Sequence, residues 1–330
     1  TIGPVDKPGI ILSGHTDVVP VTKQKWQTNP FKLTEIDNKL YGRGTADMKS
    51  FVACALYAAS KASSMNLKTP LHFSFSYDEE IGCVGVRSLI EMLKNSSINP
   101  LFCIVGEPTS MQVMSGHKGK VNASVLIKGK EAHSALTTKG LNSIYLASEF
   151  IQGIQSIQTN LINNSAHDND FEVPYTTLQV GKIEGGVAVN IVPSSSSLLF
   201  EIRSLHSDDP NLILKDIKIL SEKIVKSHID KFPDTEIEIK VTNQYPALNT
   251  MKNSDVISFL NGLTGNNSVE KVSFGTEGGL FSNELNIQTA ICGPGSMNQG
   301  HQPDEYIEKV QIDLCDQMLE NLLNKLEKGL

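Results

Sequence analysis

The side chains of this sequence that could do chemistry are imidazoles and carboxylates that follow predicted strands or a glycine-rich turn: His15, Asp17, Asp47, Glu79, Glu80, Glu107 and His301. Imidazole nitrogen and carboxylate oxygen together suit Zn²⁺ or Co²⁺. A carboxylate that bridges would allow two ions to lie a few ångströms apart. The residue types therefore predict a metal site.

Three predicted strands end directly before these residues. Residues 9–14 form an apolar run before His15, and residues 71–77 alternate apolar and polar side chains before Glu79 and Glu80. Residues 101–105 are apolar and precede Glu107. Because the carboxyl ends of parallel strands form the ligand crevice of an open α/β sheet, we expect these side chains to converge at one edge.

Two pairs within the set suggest divided roles. Asp17 follows His15 by two residues, and a carboxylate behind a metal-bound imidazole fixes its tautomer and raises its basicity. Glu79 and Glu80 are neighbours at a strand end, so their side chains point in different directions. One of them could be a ligand and the other a base.

Each residue also has a simpler explanation when it is taken alone. Asp47 could be a charge in the first turn of a helix, and residues 78–80 could be a solvated loop. His15 could be a buried histidine satisfied by Asp17, and His301 could lie on an ordinary surface loop. These explanations would have to coincide at one edge of one sheet, so the convergence favours the metal site.

Composition narrows the class of partner. The chain has 330 residues, of which 39% are hydrophobic and 20% charged, as in ordinary globular enzymes. The net charge of −7 argues against nucleic acid, whose phosphates are held by clustered Lys and Arg. No apolar tract reaches the ~18 residues of a membrane span. The five cysteines form no Cys-x-x-Cys pair and are interpreted as reduced core residues. We expect a cytoplasmic protein that acts on a small polar molecule and binds neither nucleic acid nor membrane.

The order of the predicted strands and helices changes twice along the sequence, which predicts two domains. Residues 1–117 alternate strand and helix, with helices predicted over 47–62 and 86–94. Residues 118–244 follow the ferredoxin-like order β-α-β-β-α-β, with helices predicted over 141–157 and 212–228. Residues 245–330 again alternate helix and strand, as residues 1–117 do, with a helix predicted over 255–263, a strand over 288–292 and a final helix from 309. The second domain is therefore predicted to be inserted into the first, in an α/β fold with a mixed sheet flanked by helices.

Motifs of other reaction classes are missing. The sequence contains no Gly-x-Ser-x-Gly elbow, no phosphate-binding Gly-x-x-x-x-Gly-Lys-Ser/Thr loop, no Gly-x-Gly-x-x-Gly and no His-Glu-x-x-His helix. These absences argue against a serine hydrolase, a nucleotide-dependent enzyme and a single-zinc helix protease.

The motifs resemble those of the M20 family of dinuclear zinc amidohydrolases, and their residues are most similar to those of the acetylornithine deacetylase branch. The resemblance covers nearly the whole chain and rests on residues 13–20 (SGHTDVVP), 41–49 (YGRGTADMK), 76–82 (SYDEEIG), 104–109 (IVGEPT), 273–277 (SFGTE), 292–296 (CGPGS) and 300–306 (GHQPDEY). It implies a zinc-peptidase-like catalytic domain with an inserted lid and dimerisation domain. Members of the family have further residues before the first strand, so we expect the N-terminal part of the catalytic domain to be missing here.

The resemblance also implies a division of the metal ligands. One Zn²⁺ or Co²⁺ would be held by His15 and Glu107 and a second by Glu80 and His301. Asp47 would bridge the two ions, and the peptide bond that follows it would be cis. Glu79 would be the general base, and Asp17 would support His15.

The inserted domain is implied to contribute to substrate binding across a homodimer. His133, in the stretch 131–134 (EAHS), matches the histidine that stabilises the oxyanion, in relatives from the neighbouring subunit. Asn190 and Arg203 match positions that hold the substrate α-carboxylate. For the 275–279 loop we hypothesise that Gly275 and Thr276 help to hold that carboxylate and that Glu277 faces a substrate ammonium; a glutamate at a helix start is the alternative.

The expected activity is metal-dependent hydrolysis of N2-acetyl-L-ornithine to L-ornithine and acetate, a step of arginine biosynthesis. Two alternatives stay open. One is another N-acyl amino acid hydrolase, such as a succinyl-diaminopimelate desuccinylase or an aminoacylase. The other is a metal-binding homologue without turnover.

Overall fold

The computed structural model describes residues 1–330. Its strands are β1 (Gly9–His15), β2 (Thr34–Ile36), β3 (Lys39–Tyr41), β4 (Leu71–Ser76), β5 (Pro100–Val105), β6 (Val113–His117), β7 (Gly119–Lys128), β8 (Ala132–His133), β9 (Thr177–Gly185), β10 (Ile191–Val192), β11 (Ser195–Ser204), β12 (Glu236–Tyr245), β13 (Leu248–Asn249), β14 (Val269–Val272), β15 (Gln288–Ile291) and β16 (Tyr306–Glu308). Its α-helices are α1 (Lys49–Ala62), α2 (Val86–Lys94), α3 (Ser143–Asn164), α4 (Pro210–Lys226), α5 (Asp255–Thr264), α6 (Gly278–Leu285) and α7 (Lys309–Lys328). They form two compact units, Thr1–His117 with Leu248–Leu330, and Lys118–Ala247.

The first unit is built on a seven-stranded mixed sheet with the order β13-β6-β15-β5-β1-β4, in which β14 also pairs with β6. Strand β1 lies between β4 and β5 and runs parallel to both. Every residue of β1 is buried, as is usual for a parallel strand that is covered on both faces. The predicted mixed α/β sheet flanked by helices is confirmed.

Helix α1 packs its apolar face on this sheet. Its buried residues recur at helical spacing: Phe51, Cys54, Ala55, Ala58 and Ala62. The Phe51 ring is fully buried, and burial of such a side chain contributes about 1.5–3 kcal/mol. A Cβ on Gly106 would lie 2.0 Å from this ring, so glycine is required directly before Glu107. The packing of α1 thus fixes the backbone that carries Glu107.

A small antiparallel sheet brings the end of the chain to the Asp47 loop. Its order is β16-β3-β2, and Tyr306 pairs with Tyr41. The Gly42 amide also donates to the Glu305 carbonyl oxygen at 2.9 Å. These contacts place the segment that follows His301 beside residues 42–47.

The second unit has an antiparallel sheet with the order β12-β7-β11-β9. Its longer elements follow the chain order β7, α3, β9, β11, α4 and β12, which is the predicted β-α-β-β-α-β order. Asn142 and Asp209 begin α3 and α4 by accepting hydrogen bonds from backbone amides of the first turn. The unit has its own apolar core, centred on residues such as Phe150, Phe200 and Ile217.

Cysteines and helix lengths complete the description. All five cysteines are free and buried. No helix of the structure combines the length and the apolar character that crossing a membrane requires.

Candidate metal centre and active site

The strand ends converge as the sequence predicted. The last residue of β1, His15, pairs in parallel register with Ser76, the last residue of β4. Ser13 of β1 pairs with Val105, the last residue of β5. Glu79 and Glu107 follow these two strands within three residues, so the neighbouring parallel strands deliver their acidic residues to the same edge of the sheet.

Asp47 lies between the two histidines. Its Oδ1 is 3.1 Å from Nε2 of His15, and its Oδ2 is 3.0 Å from Nε2 of His301. His301 Nε2 also lies 3.1 Å from Oε2 of Glu80, and His15 Nε2 lies 3.9 Å from Oε1 of Glu107. The two oxygens of Asp47 thus face different histidines, each of which has a second carboxylate nearby. The peptide bond between Asp47 and Met48 is cis, in agreement with the resemblance.

Asp17 connects β1 to the loop after β4. Its Oδ1 and Oδ2 accept hydrogen bonds from the backbone amides of Glu79 and Glu80, at 3.2 and 3.1 Å. Nδ1 of His15 lies 3.0 Å from the Asp17 carbonyl oxygen and 3.5 Å from its Oδ1. Asp17 therefore orients the His15 ring through its backbone as well as its carboxylate, and it also holds both glutamates.

Glu79 has a partner that sequence reasoning missed. The Cys83 thiol donates to its Oε1 at 3.2 Å, and Cys83 is fully buried. In the sequence Cys83 looked like an ordinary core residue, because nothing there shows that the turn after Glu79 brings the thiol back to the carboxylate.

Burial and charge shift the pKa values of these groups strongly. Burial raises the pKa of Glu79 to about 7. Burial also lowers the pKa of His15, but hydrogen bonds with Asp17 and Asp47 and the charge of Glu107 outweigh it, and the net shift is upward. Hydrogen bonds with Asp47 and Glu80 raise the pKa of His301 to about 10. Positive charge is strongly favoured among these carboxylates.

The donor set fits divalent metal ions. Two groups have ligand atoms within 4.8 Å of one another: His15, Glu79 and Glu107, and His15, Asp47 and Glu80. Oε1 of Glu80 is buried and has no hydrogen-bond partner, although a buried carboxylate oxygen is costly when unpaired. Several buried carboxylates face two imidazoles, which is the chemistry of a site for Zn²⁺ or a related ion. Glu79 is within ligand distance as well, so its role needs a direct test.

The 275–279 loop corrects one prediction. Glu277 is 1% exposed, and its carboxylate accepts hydrogen bonds from the hydroxyls of Ser13, at 3.1 Å, and Ser76. A carboxylate that is buried and engaged in this way does not face a substrate ammonium. It joins β1 to β4 and stands at the start of α6, which is what the alternative of a glutamate at a helix start implies and not what recognition of the substrate side chain by Glu277 requires.

Thr276 and Gly275, in the same loop, differ in their exposure to solvent. Thr276 is fully buried, and its hydroxyl accepts a hydrogen bond from the Gly278 amide at 3.0 Å. That contact satisfies a free amide at the start of α6, so Thr276 supports the helix, and a role in holding a substrate carboxylate stays a prediction for it. Gly275 is partly exposed, and a role in substrate binding stays a prediction for it.

In the second unit the structure brings His133 and Asn190 together. His133 pairs with Ile191 in the β8–β10 ladder, and the Ser134 amide donates to the Asn190 carbonyl oxygen at 3.0 Å. Both residues are exposed. Nδ1 of His133 accepts from the Ala135 amide at 3.1 Å, which leaves its Nε2 to act as a donor.

Arg203 lies near the end of β11 in the four-stranded sheet of the same unit. It pairs with Lys120 at the start of β7, whereas Ser195 pairs with Lys128, where β7 leads toward β8. Arg203 lies eight positions after Ser195 along β11, which corresponds to about 27 Å. Within one protomer, Asn190 and Arg203 therefore cannot hold the same carboxylate. The Arg203 guanidinium forms a two-point contact with Glu201, at 2.8 and 3.1 Å.

Comparison with known proteins agrees with this geometry. Residues 11–325 match the protein family described as Peptidase family M20/M25/M40. The chain is 35% identical over 321 residues to an acetylornithine deacetylase from Pasteurella multocida, covering 97% of this chain and 81% of the relative. It is 34% identical to an acetylornithine deacetylase from Myxococcus xanthus, covering 94% and 78%.

Solved structures share the fold. A tripeptidase from Staphylococcus aureus superposes with a TM-score of 0.75 at 20% identity, over 99% of this chain and 83% of the other. An M20 family metallo-carboxypeptidase from Sulfolobus solfataricus has a TM-score of 0.74 at 19% identity, over 98% and 86%. The fold and the family define a metal-dependent amidohydrolase. The chain belongs to peptidase family M20.

Proposed function

We propose that this protein hydrolyses N2-acetyl-L-ornithine to L-ornithine and acetate and thereby serves arginine biosynthesis. The observation that carries the reaction type is Asp47, whose two oxygens face His15 and His301 in the same cluster as the half-buried Glu79. The substrate is supported by the relatives at 35% and 34% identity, which are named acetylornithine deacetylases.

The ligand set proposed for the metals follows the contacts. His15 and Glu107 would hold one divalent ion, Glu80 and His301 a second, and Asp47 both; we propose Zn²⁺, with Co²⁺ as the alternative. When bound, two such ions supply Lewis acidity, which lowers the pKa of water and polarises a carbonyl oxygen. Asp17 keeps the His15 ring in place through Nδ1.

The protein's own groups supply the proton transfers. Glu79 accepts a proton from the attacking water and then delivers it to the departing amine, which is the usual task of a general base and acid. Cys83 keeps the Glu79 carboxylate oriented through its thiol. His133 donates a hydrogen bond to the oxyanion that develops on the acetyl carbonyl.

The separation of Arg203 from Asn190 supports a site shared between two protomers. Since one carboxylate cannot reach both residues of the same protomer, we assign Arg203 to one protomer's site and His133 and Asn190 to the site of its partner. The inserted unit would then be the lid and dimerisation domain of a homodimer with two equivalent composite sites.

The substrate is tested with N-acetylornithine, N-succinyl-diaminopimelate and N-acetylmethionine, each assayed with Zn²⁺ and with Co²⁺. We expect the highest kcat/KM for N-acetylornithine. A preference for either of the other compounds would assign the chain to another N-acyl amino acid hydrolase. Stoichiometric metal binding without hydrolysis of any of the three would identify a metal-binding homologue.

Complementation tests the shared site. Mixing His133→Ala protomers with Glu79→Gln protomers should restore up to about a quarter of wild-type activity, because half of the dimers are hybrids with one intact site each. As a control, mixing Glu79→Gln with Asp47→Ala should restore nothing, since both changes lie in the same unit. If hybrids are proven by mass spectrometry and show no recovery, His133 acts within its own protomer.

A further inference from the structure

Glu305 is a buried charge that no step of the reaction uses. It is 1% exposed although it follows a polar stretch of sequence, and its partner Arg43 has a side chain that is also 1% exposed. Nη1 of Arg43 donates to Oε2 of Glu305 at 2.5 Å. Burying two charges carries a large desolvation cost unless both are well satisfied, so such a pair requires a structural or functional reason.

The second oxygen of Glu305 holds the loop that carries Asp47. Oε1 accepts hydrogen bonds from the backbone amides of Gly44 at 3.1 Å, Ala46 at 2.9 Å and Asp47 at 3.0 Å. Successive amides that converge on one anion form a concave nest, and hydrogen bonds to a charged acceptor are the stronger kind. The carboxylate therefore fixes the backbone of Asp47 itself.

The same pair is linked to the loop of His301. Nη2 of Arg43 donates to Oε1 of Gln24 at 2.6 Å, and the Gln24 side-chain amide donates to the His301 carbonyl oxygen at 2.9 Å. The Trp26 indole also donates to Oε1 of Gln24 at 3.0 Å. A continuous chain of hydrogen bonds thus runs from the Asp47 amide through Glu305, Arg43 and Gln24 to the backbone of His301.

We propose that Glu305 is a positioning residue that fixes Asp47 relative to His301. Arg43 and Gln24 connect it by hydrogen bonds to the His301 loop. Both oxygens of Glu305 are engaged by backbone amides and a guanidinium, so it acts through Asp47 and not as a ligand. The inference rests on the proposed function, because Asp47 and His301 are the residues assigned there to the metals. Mutation of a residue that holds a metal ligand in place through hydrogen bonds typically lowers metal affinity or activity by 10- to 100-fold.

The test compares Glu305→Gln with Glu284→Gln, which removes the charge from an exposed pair with Lys94 at 2.6 Å. Glutamine keeps an oxygen for the nest but turns an amide group toward Arg43. We expect Glu305→Gln to weaken Zn²⁺ affinity, measured by competition with a chelator, by about 10- to 100-fold and to lower kcat more than it raises KM. Glu284→Gln should leave both unchanged.

A second variant keeps the proposal testable if Glu305→Gln does not fold. Gln24→Ala removes the partly exposed link to His301 together with the acceptor of Arg43 and Trp26, but it leaves Glu305 and its backbone contacts in place. We expect it to fold and to lose several-fold in Zn²⁺ affinity. If both variants lower the melting temperature but keep wild-type Zn²⁺ affinity and kcat, the network is only structural and the proposal is overturned. The affinity measurement needs no substrate, so it stands even if the proposed substrate proves wrong.

Discussion

Replacing Glu79 with glutamine should lower kcat by roughly 10²- to 10⁴-fold while both metal ions stay bound. Glutamine has nearly the same shape but cannot accept a proton from water at neutral pH. The neighbouring Glu80 lies 3.1 Å from His301 and should keep its ligand role. The measurement is kcat together with metal content per chain after dialysis.

Asp78→Asn is the matched control for Glu79→Gln. Asp78 is the adjacent acid, it is exposed, and asparagine tolerates its positive φ of 55°. We expect wild-type kcat from this control. Loss of one ion from Glu79→Gln would make Glu79 a ligand, an outcome that its position among His15 and Glu107 within 4.8 Å allows chemically.

Replacing Asp47 with alanine should release both metal ions and remove activity. Its two oxygens face His15 and His301, so no other single residue contacts both halves of the site in this way. Loss of the Lewis acids removes several kcal/mol of transition-state stabilisation, which corresponds to roughly 10³-fold or more in rate. Metal content and activity in added Zn²⁺ measure the effect.

Two comparisons make the Asp47 result specific. Glu80→Ala should release only the ion beside His301, so it should retain one ion per chain where Asp47→Ala retains none. Asp313→Ala, on the exposed face of α7, should retain both. Wild-type activity of Asp47→Ala in excess Zn²⁺ would show that no bridging carboxylate is needed.

The convergence of candidate metal ligands at the ends of three strands could be predicted from the sequence because the governing pattern is local. Each of β1, β4 and β5 is a recognisable apolar strand, and the acids come within a few residues of its end. Parallel pairing of neighbouring strands then brings them together without any further information. The helices over Val86–Lys94 and from Lys309 were also predicted at their observed starts.

Other features depend on contacts that no local pattern shows. Helix α6 begins with two glycines, which are poor helix formers, and the sequence indicates it only through the alternative that places Glu277 at a helix start. Strands β2, β3 and β16 have three residues each, too few for a periodic signal. Helix α3 extends to Asn164, beyond its predicted end at residue 157; the additional turns are mostly polar, and of their residues only Leu161 is buried.

The roles of the acidic residues outside the strand ends were the least predictable. In the sequence Glu305 looks like part of a surface loop, and Glu277 is assigned to a substrate ammonium or to a helix start, yet each is 1% exposed. Their burial is possible only because hydroxyls, backbone amides or a guanidinium from distant segments satisfy the carboxylates. The separation of Arg203 from Asn190 likewise depends on the register of β11 with β7.

The strand order of the seven-stranded sheet has a consequence for synthesis on the ribosome. Strand β15 lies between β5 and β6, although both of these precede the inserted unit in the chain. At translation rates of about 5–20 residues per second, β5 and β6 wait on the order of ten seconds or more for it. During that time one edge of β5 and both edges of β6 are unpaired in the nascent chain, because β13 and β14, the other partners of β6, also follow the inserted unit, and such edges invite aggregation. The seven-stranded sheet can therefore close only after the chain has been synthesised beyond β15.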